Sequence, residues 1–444
     1  MAFVRTAALV VLLCMPAVAS AQTGQTAQIP LQFDFLNPGA RSLALGSAFV
    51  AVAGDATAAF TNPAGLMLAL KPIEVSAEVR YRSLETPYLS MGRLSGTPTG
   101  RILDTFDKPV YGVSVDRTTR PYFLSLIVKR KNWAYAGYRH ELVLQTNTFL
   151  SQGPFYKAGA FNNARLFGLT GFRDIRLTTY GASATYRVSP WLSIGEGISV
   201  YRFSLAARFA ALGAQELGTE DDFFRPVDPD SAGKHSSTTQ DGTGTQVAFN
   251  VGALMTPYPW LRVGLVFRQS ASFLFTEVNV VPNTPTATRV GTFRTPGVMA
   301  AGVRVQATDT LALMFDYDWV QYANLTTTFI TFQVDPSAAN RVSIASGHEV
   351  HVGAEYALLD FPGQPTVRAG AWFDPNHAVR YVSDGSGSEV DTRFQAIFPG
   401  GRDVWHYCFG IGVPLSRTFE ANVGGDITSE RKYWSASLVA RFGK

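Results

Sequence analysis

From about residue 72 to the C-terminus the chain repeats one unit, a segment of roughly ten residues with an apolar side chain at every second position. In 418–427, Phe419, Ala421, Val423, Gly425 and Ile427 share one face, and Glu420, Asn422, Gly424 and Asp426 the other. Segment 433–442 sets Trp434, Ala436, Leu438, Ala440 and Phe442 against Tyr433, Ser435, Ser437, Val439 and Arg441. Segment 310–320 sets Leu311, Leu313, Phe315, Tyr317 and Trp319 opposite Asp316 and Asp318. Successive side chains of a strand point to opposite faces, so each unit is a strand with one apolar and one polar side. This alternation at this length is what a transmembrane strand shows.

One such strand proves little, because soluble sheets alternate too. Number and connections decide. The pattern predicts strands near 72–82, 121–130, 133–145, 174–188, 191–209, 243–256, 260–280, 297–307, 310–323, 347–358, 366–374, 404–413, 418–427 and 433–442. This is an even set, as single-chain bacterial barrels require. Short links such as Lys131-Asn132, Ser189-Pro190 and Thr308-Asp309 alternate with long ones over 83–120, 146–173, 210–242, 324–346 and 375–403. Short periplasmic turns and long outer loops belong to the same class. Link 428–432 is the exception, short where an outer loop is expected. Trp133, Trp191 and Trp260 open strands at the short-turn side, while Trp319, Trp405 and Trp434 lie at the other, as two aromatic girdles would. By parity Trp372 joins Arg368 and Asp374 on the polar face. The expected fold is therefore all-β, a 14-stranded antiparallel transmembrane barrel over 72–444.

The N-terminus reads as an export signal over 1–21. Arg5 precedes the apolar run Ala7–Met15, and Ala19-Ser20-Ala21 is a small-residue cleavage site. Cys14 follows Leu13, where lipidation needs a small residue, and the mature chain keeps only Cys408, so no internal disulfide is expected. No apolar run of about 18 residues follows the signal, which excludes a helical membrane bundle. A net charge of +4, not clustered, argues against nucleic acid as a partner.

The polar face lines the lumen. Arg262, Arg268, Arg304, Asp316, Asp318, Glu349, His351, Glu355, Arg368, His406, Glu420, Asp426 and Arg441 mix both signs without a ring of one charge, which favours salt-bridged filling over an ion-selective pore. His348-Glu349-Val350-His351 lacks the histidine spacing of a zinc protease, and no nucleophile elbow or phosphate loop is present. No catalytic residue, metal or cofactor is expected. Loop 146–173 carries Phe149, Phe155, Phe161 and Phe167, among other apolar residues, on a stretch expected outside the cell. Two readings stand open for it: a surface that captures hydrophobic ligand, with Phe223 and Phe224 nearby, or a self-packed lid on the barrel mouth.

Residues 22–71 are rich in Ala and Gly and precede the first strand. If helical, Leu43–Ala59 is apolar enough to require burial, and a 14-strand lumen is wide enough to take it as a plug. Pro63 fixes its own φ and disfavours helix at Asn62, so a helix ends there. The stretch "FLNPGARSLALGSAFVAVAGDATAAFTNPAGL" resembles the N-terminal hatch of the FadL/TodX family of outer-membrane hydrophobic-compound transporters. Matching positions are Gly46, Ala48, Ala51, Asp55, Ala56 and, above all, Asn62-Pro63-Ala64-Gly65. Gly54 departs from the family, which often has a second acid there. The phrases "FRTPGVMAAGVRVQATDTLALMFDYDWVQY" and "FPGGRDVWHYCFGIGVPLSRTFEANVGGDI" resemble its later strands.

The resemblance implies a hatch-plugged barrel that passes long-chain fatty acids or hydrocarbons across the outer membrane, and a monomer is expected. Its partners would be the bilayer and hydrophobic small molecules, with ligand leaving sideways at a kinked third strand. Here Gly137 precedes the polar run Arg139, His140 and Glu141, which cannot all face the lumen in a regular strand; a bulge, or a position above the bilayer, accounts for it. Similar hatches occur in barrels that shuttle a periplasmic or secreted protein, and this alternative stands beside transport.

Overall fold

The computed structural model describes residues 36–93, 108–158, 162–165, 168–212, 234–331, 339–386 and 401–443, with a few positions between 387 and 400. The expected signal peptide, Phe161, Phe167, Phe223 and Phe224 lie outside them.

Fourteen antiparallel strands close on themselves. In chain order the ring is β1 (Ile73–Gly92), β2 (Pro109–Arg130), β3 (Trp133–Ser151), β6 (Gly168–Ser189), β7 (Leu192–Leu212), β8 (Lys234–Tyr258), β9 (Leu261–Arg268), β12 (Val298–Gln306), β13 (Leu311–Val320), β15 (Gly347–Ala357), β16 (Thr366–Asp374), β18 (Val404–Pro414), β19 (Phe419–Ile427) and β20 (Arg431–Phe442). β20 pairs back onto β1 from Ile73↔Phe442 to Leu84↔Arg431, so neither chain end leaves an open edge. Hairpin β10 (Ser272–Val280) and β11 (Ala287–Arg294) extends the same sheet, β10 pairing with β8 from Thr276↔Asp241 to Val280↔Ser237, while hairpin β4 (Phe155–Ala158) and β5 (Asn162–Arg165) and the short pair β14 (Val342–Ser343) and β17 (Arg380–Tyr381) form separate two-stranded sheets.

The two faces sort as the alternation predicts. Leu124, Leu126, Ile198, Phe249, Leu265, Phe315, Phe409 and Val423 are among the large apolar side chains exposed outward. A soluble protein does not present so continuous an apolar surface, whereas lipid covers it. Trp133, Trp191 and Trp260 are exposed at one rim, Trp405 and Trp434 at the other. Trp372 is buried on the inner face, where its indole N–H donates to Asp426 Oδ2 at 3.0 Å.

Three expectations need correction. The segments 83–120, 146–173 and 210–242 begin and end as continuations of strands, since β1, β2, β3, β6, β7 and β8 run to 19–25 residues. A bilayer crossing takes about 9–11, so this half of the barrel stands well above the membrane. On β2 polar Arg117 and Thr119 interrupt the apolar outward face, which resumes with Val115, Val113 and Tyr111. The expected strand 260–280 is broken at Gln269–Ala271 into β9 and β10, and β11 was not expected at all. Pro296, which has no N–H to give a ladder, separates β11 from β12. Lastly, Leu43–Ala59 is not one helix. It holds α1 (Ala40–Ala44) and α2 (Ala58–Thr61) joined by turns.

This N-terminal segment lies inside the barrel, α1 against β18 and β19 and the 3-10 helix Pro63–Leu68 against β6, β7 and β8. Its backbone touches the wall at glycines. A Cβ on Gly195, Gly252, Gly264, Gly302, Gly353, Gly370, Gly410 or Gly424 would collide with Pro63–Ala64, Asn62, Val50–Ala51, Val50, Leu45, Leu45–Gly46, Ala44 or Ala40 respectively. These glycines sit on eight different strands, and several pair directly, as in Gly195↔Gly252, Gly264↔Gly302, Gly353↔Gly370 and Gly410↔Gly424. They form a belt that lets backbone approach backbone.

The belt makes a prediction. Gly370→Val should lower the temperature of the unfolded-to-folded band shift on gels, because at least one side must move; overpacking of this kind costs about 1–3 kcal/mol. Gly137→Ala, whose Cβ meets only Gly181 O at 4.0 Å, should leave that temperature unchanged.

Candidate functional site: hatch, outer chamber and seam

Short helices leave most of their backbone groups without internal partners, and here wall side chains supply them. Ser125, Ser183 and Ser193 donate to the carbonyls of Ala56, Ala59 and Ala64 at 2.7, 2.7 and 3.0 Å. Asp316 Oδ2 accepts from Phe49 N at 2.5 Å and Val50 N at 2.7 Å, and Glu78 Oε2 accepts from Gly39 N at 2.7 Å. Arg41 makes two 2.9 Å bonds to Glu355, which also accepts from Arg368 at 2.7 Å. The mixed lumen charges are thus tied into pairs that reach the hatch.

Asn62-Pro63-Ala64-Gly65 forms one buried junction. Asn62 is extended, with φ −151°, as a residue before proline favours, and it both ends α2 and caps the 3-10 helix that Pro63 opens. Its amide donates to Val50 O at 2.9 Å and to Ala253 O of the wall at 3.3 Å, while Oδ1 accepts from Ala64 N at 3.2 Å. One side chain therefore joins two parts of the hatch to β8. Gly65 lets the hatch fold on itself, since a Cβ there would overlap Ala53 O. Asp55 lies apart from this junction and accepts from Thr57 N at 2.9 Å and Thr57 Oγ1 at 2.5 Å, starting α2.

Above the hatch the inner wall changes character. Along β7 the inward positions run Ser193, Gly195, Gly197, Ser199, then Tyr201, Phe203, Leu205, Ala207 and Phe209. Phe203 stacks on Phe273 and Phe293 at 4.8 and 5.0 Å, and Phe329 meets Phe293 and Phe275 edge-on at 5.3 and 5.7 Å. Phe149 is not on a loop; it belongs to β3 and turns inward between Tyr88 and Phe209. Phe155 lies in β4. Sequence reasoning missed this cluster because Phe293 lay outside every expected strand, and the parity of Arg262 and Arg268 put Phe273 on the lipid face until the break at Gln269–Ala271 reverses it.

Between β2 and β3 the ladder is incomplete. β2 and β3 pair only from Arg130↔Trp133 to Phe123↔His140. Beyond that, Pro109–Tyr122 and Glu141–Ser151 share no ladder, although β2 stays paired with β1 and β3 with β6. Two side chains of β2 stand in for the missing backbone bonds: Asp116 accepts from Thr146 N and Ser114 from Thr148 N, both at 3.1 Å. The β3–β6 register slips between Glu141 and Val143, so Leu142 is an extra residue. Gly137 itself sits in regular pairing on the outer face. Arg139 pairs with Glu141 and donates to Pro121 O at 3.0 Å, the carbonyl where the ladder stops. His140 points inward, fully buried among Phe60 of the hatch, Tyr122 and Phe123, with no hydrogen bond to either ring nitrogen.

A cleft with about 540 Å³ of unfilled space, part of it open to solvent, lies at this seam. Leu36, Tyr122, Leu142, Val143, Leu144 and Tyr433 give it an apolar lining, and Arg80, Arg82 and Arg120 bring guanidinium groups to it.

The hatch junction yields a second prediction. Asn62→Ala removes one donor shared by two carbonyls and one acceptor, and a buried group left unpaired costs about 1–3 kcal/mol. The variant should insert as a folded barrel but unfold at lower temperature and leak small polar solutes in a liposome swelling assay. Wild-type leakage and stability would show that the junction does not hold the hatch.

Comparison with known proteins agrees with this architecture. The chain matches no protein-family model. It is 26% identical over 237 residues to outer membrane protein P1 of Haemophilus influenzae, a match spanning 49% of each chain, so about half of that relative's length is covered. Among solved structures, a FadL homologue of Pseudomonas aeruginosa superposes with a TM-score of 0.61 at 15% identity, over 92% of this chain and all of that one. The toluene transporter TodX of P. putida gives 0.56 at 11% identity over 93% of this chain, and TbuX of Ralstonia pickettii 0.55 at 13% over 92%, each matched over its full length. These neighbours are channels and transporters rather than enzymes. The chain is thus an integral outer-membrane barrel with the FadL/TodX-type fold, fourteen strands around a folded N-terminal segment.

Proposed function

We propose that this chain is a passive outer-membrane channel for hydrophobic compounds, taking ligand into the aromatic chamber and releasing it through the β2–β3 seam. The observation that carries the reading is the inner wall above the hatch, which is aromatic, together with an apolar-lined cleft where the β2–β3 ladder is missing. A channel for polar solutes needs a wetted lining, and stacked phenylalanines exclude one. Fatty acids and neutral hydrocarbons both fit an apolar path. Arg80 and Arg82 are held by Glu78 and Asp116, and with Arg120 beside Leu142 and Leu144 they give the cleft a cationic side that suits a ligand with an anionic head. Capture of ligand by Phe155, Phe161 and Phe167 at the outer end belongs to the same reading.

Deleting Leu142 tests it. Because Glu141 and Val143 already face consecutive partners on β6, Thr178 and Leu177, the deletion should regularise β3 without exchanging its faces. The register against β2 could then continue past His140 and narrow the seam. Uptake of a radiolabelled long-chain fatty acid at limiting concentration should fall about tenfold, equivalent to roughly 1.4 kcal/mol, while the barrel still inserts. Uptake at the wild-type rate by a folded deletion variant would remove the seam from the path. Loss of neither fatty-acid nor toluene uptake in cells lacking the whole protein would remove transport, and would leave the protein-shuttle alternative.

A further inference from the structure

β13 and β15 place four ionisable side chains on the lumen face as two cross-strand pairs, Asp316↔His351 and Asp318↔Glu349. Strand geometry forces this, since i and i+2 on each strand share a face. It also explains why the histidines of His348-Glu349-Val350-His351 do not act together: His348 points outward to the Tyr317 hydroxyl, at 2.6 Å.

Within this group Asp318, Glu349 and His351 offer ligand atoms that all lie within 4.8 Å of one another. Each residue is more than nine-tenths buried. His351 Nδ1 lies 2.7 Å from Gly46 O of the hatch. A carbonyl only accepts, so Nδ1 carries a proton, and Nε2, the nitrogen a metal ion would take from the neutral ring, faces the carboxylates. Nε2 lies 3.4 Å from Glu349 Oε2 and has no hydrogen-bond partner, nor has Asp318 Oδ1. Glu349 Oε1 accepts from the Tyr322 hydroxyl at 2.7 Å, which orients that carboxylate and leaves Oε2 toward the group. An imidazole fixed by a carbonyl and a carboxylate fixed by a hydroxyl are the outer contacts that metal ligands show.

Charge argues in the same direction. Asp316, Asp318 and Glu349 bring three carboxylates to one buried corner, and Arg268 is the guanidinium whose field reaches Asp318 and Glu349. With a neutral imidazole, two negative charges remain unbalanced away from water, a costly arrangement. A divalent cation neutralises them. One nitrogen and two carboxylate oxygens suit zinc or a similar transition ion better than calcium, which prefers six or more oxygens. Tetrahedral zinc, with bonds of about 2.0–2.2 Å, holds ligand atoms roughly 3.5 Å apart, within reach of side-chain adjustment here.

We propose that Asp318, Glu349 and His351 form a binding site for a divalent transition-metal ion between the wall and the hatch. Through His351 and Gly46 the ion fastens the middle of the hatch to β15. The proposal is independent of what the barrel transports.

The test uses the full-length protein extracted from membranes in detergent without chelator. After incubation with zinc and desalting, elemental analysis should find about one zinc ion per chain, and the unfolding temperature should exceed that of chelator-treated protein, since a ligand bound only by the folded state stabilises it. Asp318→Asn and His351→Gln should weaken zinc binding at least about tenfold, the loss typical of removing a metal ligand or its orienting contact. His348→Gln should bind zinc as the wild type does. A wild-type protein that retains no stoichiometric zinc and unfolds at the same temperature with and without it overturns the proposal, and leaves a charged His351 paired with the carboxylates. Zinc retained undiminished by folded Asp318→Asn and His351→Gln variants overturns it as well, by placing the ion elsewhere. Should those variants not fold, the wild-type arm alone decides.

Discussion

Everything in this structure depends on one constraint: inside a bilayer no water is available to pair a backbone amide, so each strand must find its partners in another strand. The closure of β20 onto β1 meets it. Closure in turn fixes the remaining problem, because fourteen strands enclose more space than inward side chains can fill. The chain fills it with its own N-terminal segment. That segment then faces the same accounting as the wall, since the backbone of α1, α2 and the turns between them is buried and needs partners of its own.

Two devices answer this need, and they work together. The glycine belt removes side-chain bulk where the hatch crosses the wall, at positions such as Gly370 and Gly424. Between those positions Ser183, Ser193, Asp316 and Asn62 reach the exposed carbonyls and amides. Small residues on the hatch serve the same end; Ala40, Ala44, Ala56 and Ala59 are fully buried. The Ala- and Gly-rich composition of this segment is therefore a requirement of close approach, and it need not signal a flexible tether.

The strand number, the inward and outward faces and the buried N-terminal segment were legible in the sequence because each rests on a local period. Trp372, which parity put on the polar face, finds Asp426 there. Less was legible where the period is broken. On β2 before Pro121, polar Arg117 and Thr119 interrupt an outward face that Val115, Val113 and Tyr111 resume, and the segment reads as a loop although it is paired throughout with β1. The aromatic cluster was hidden because the break at Gln269–Ala271 shifts the parity set by Arg262 and Arg268 and turns Phe273 inward, and only the third dimension brings it onto Phe203. The polar run Arg139–Glu141 did signal an irregularity, but the extra residue is Leu142, whose own apolar character gave no sign of it.

The β2–β3 seam is a place where the pairing rule is relaxed, and its chemistry shows how. The ladder stops beside Pro121, a residue that has no N–H to donate, and its carbonyl is taken by Arg139. Farther along, Asp116 and Ser114 bind amides of β3 that a neighbouring strand would otherwise take. A backbone ladder is continuous and cooperative along two strands, whereas these bonds are separate and made by side chains that can rotate. Substituting side-chain acceptors for backbone ones thus keeps buried amides satisfied while leaving the two strands free to part. From β7 to β19 the wall is instead pressed against the N-terminal segment at every belt glycine, so the incomplete ladder and the strands that carry the belt lie on different parts of the ring.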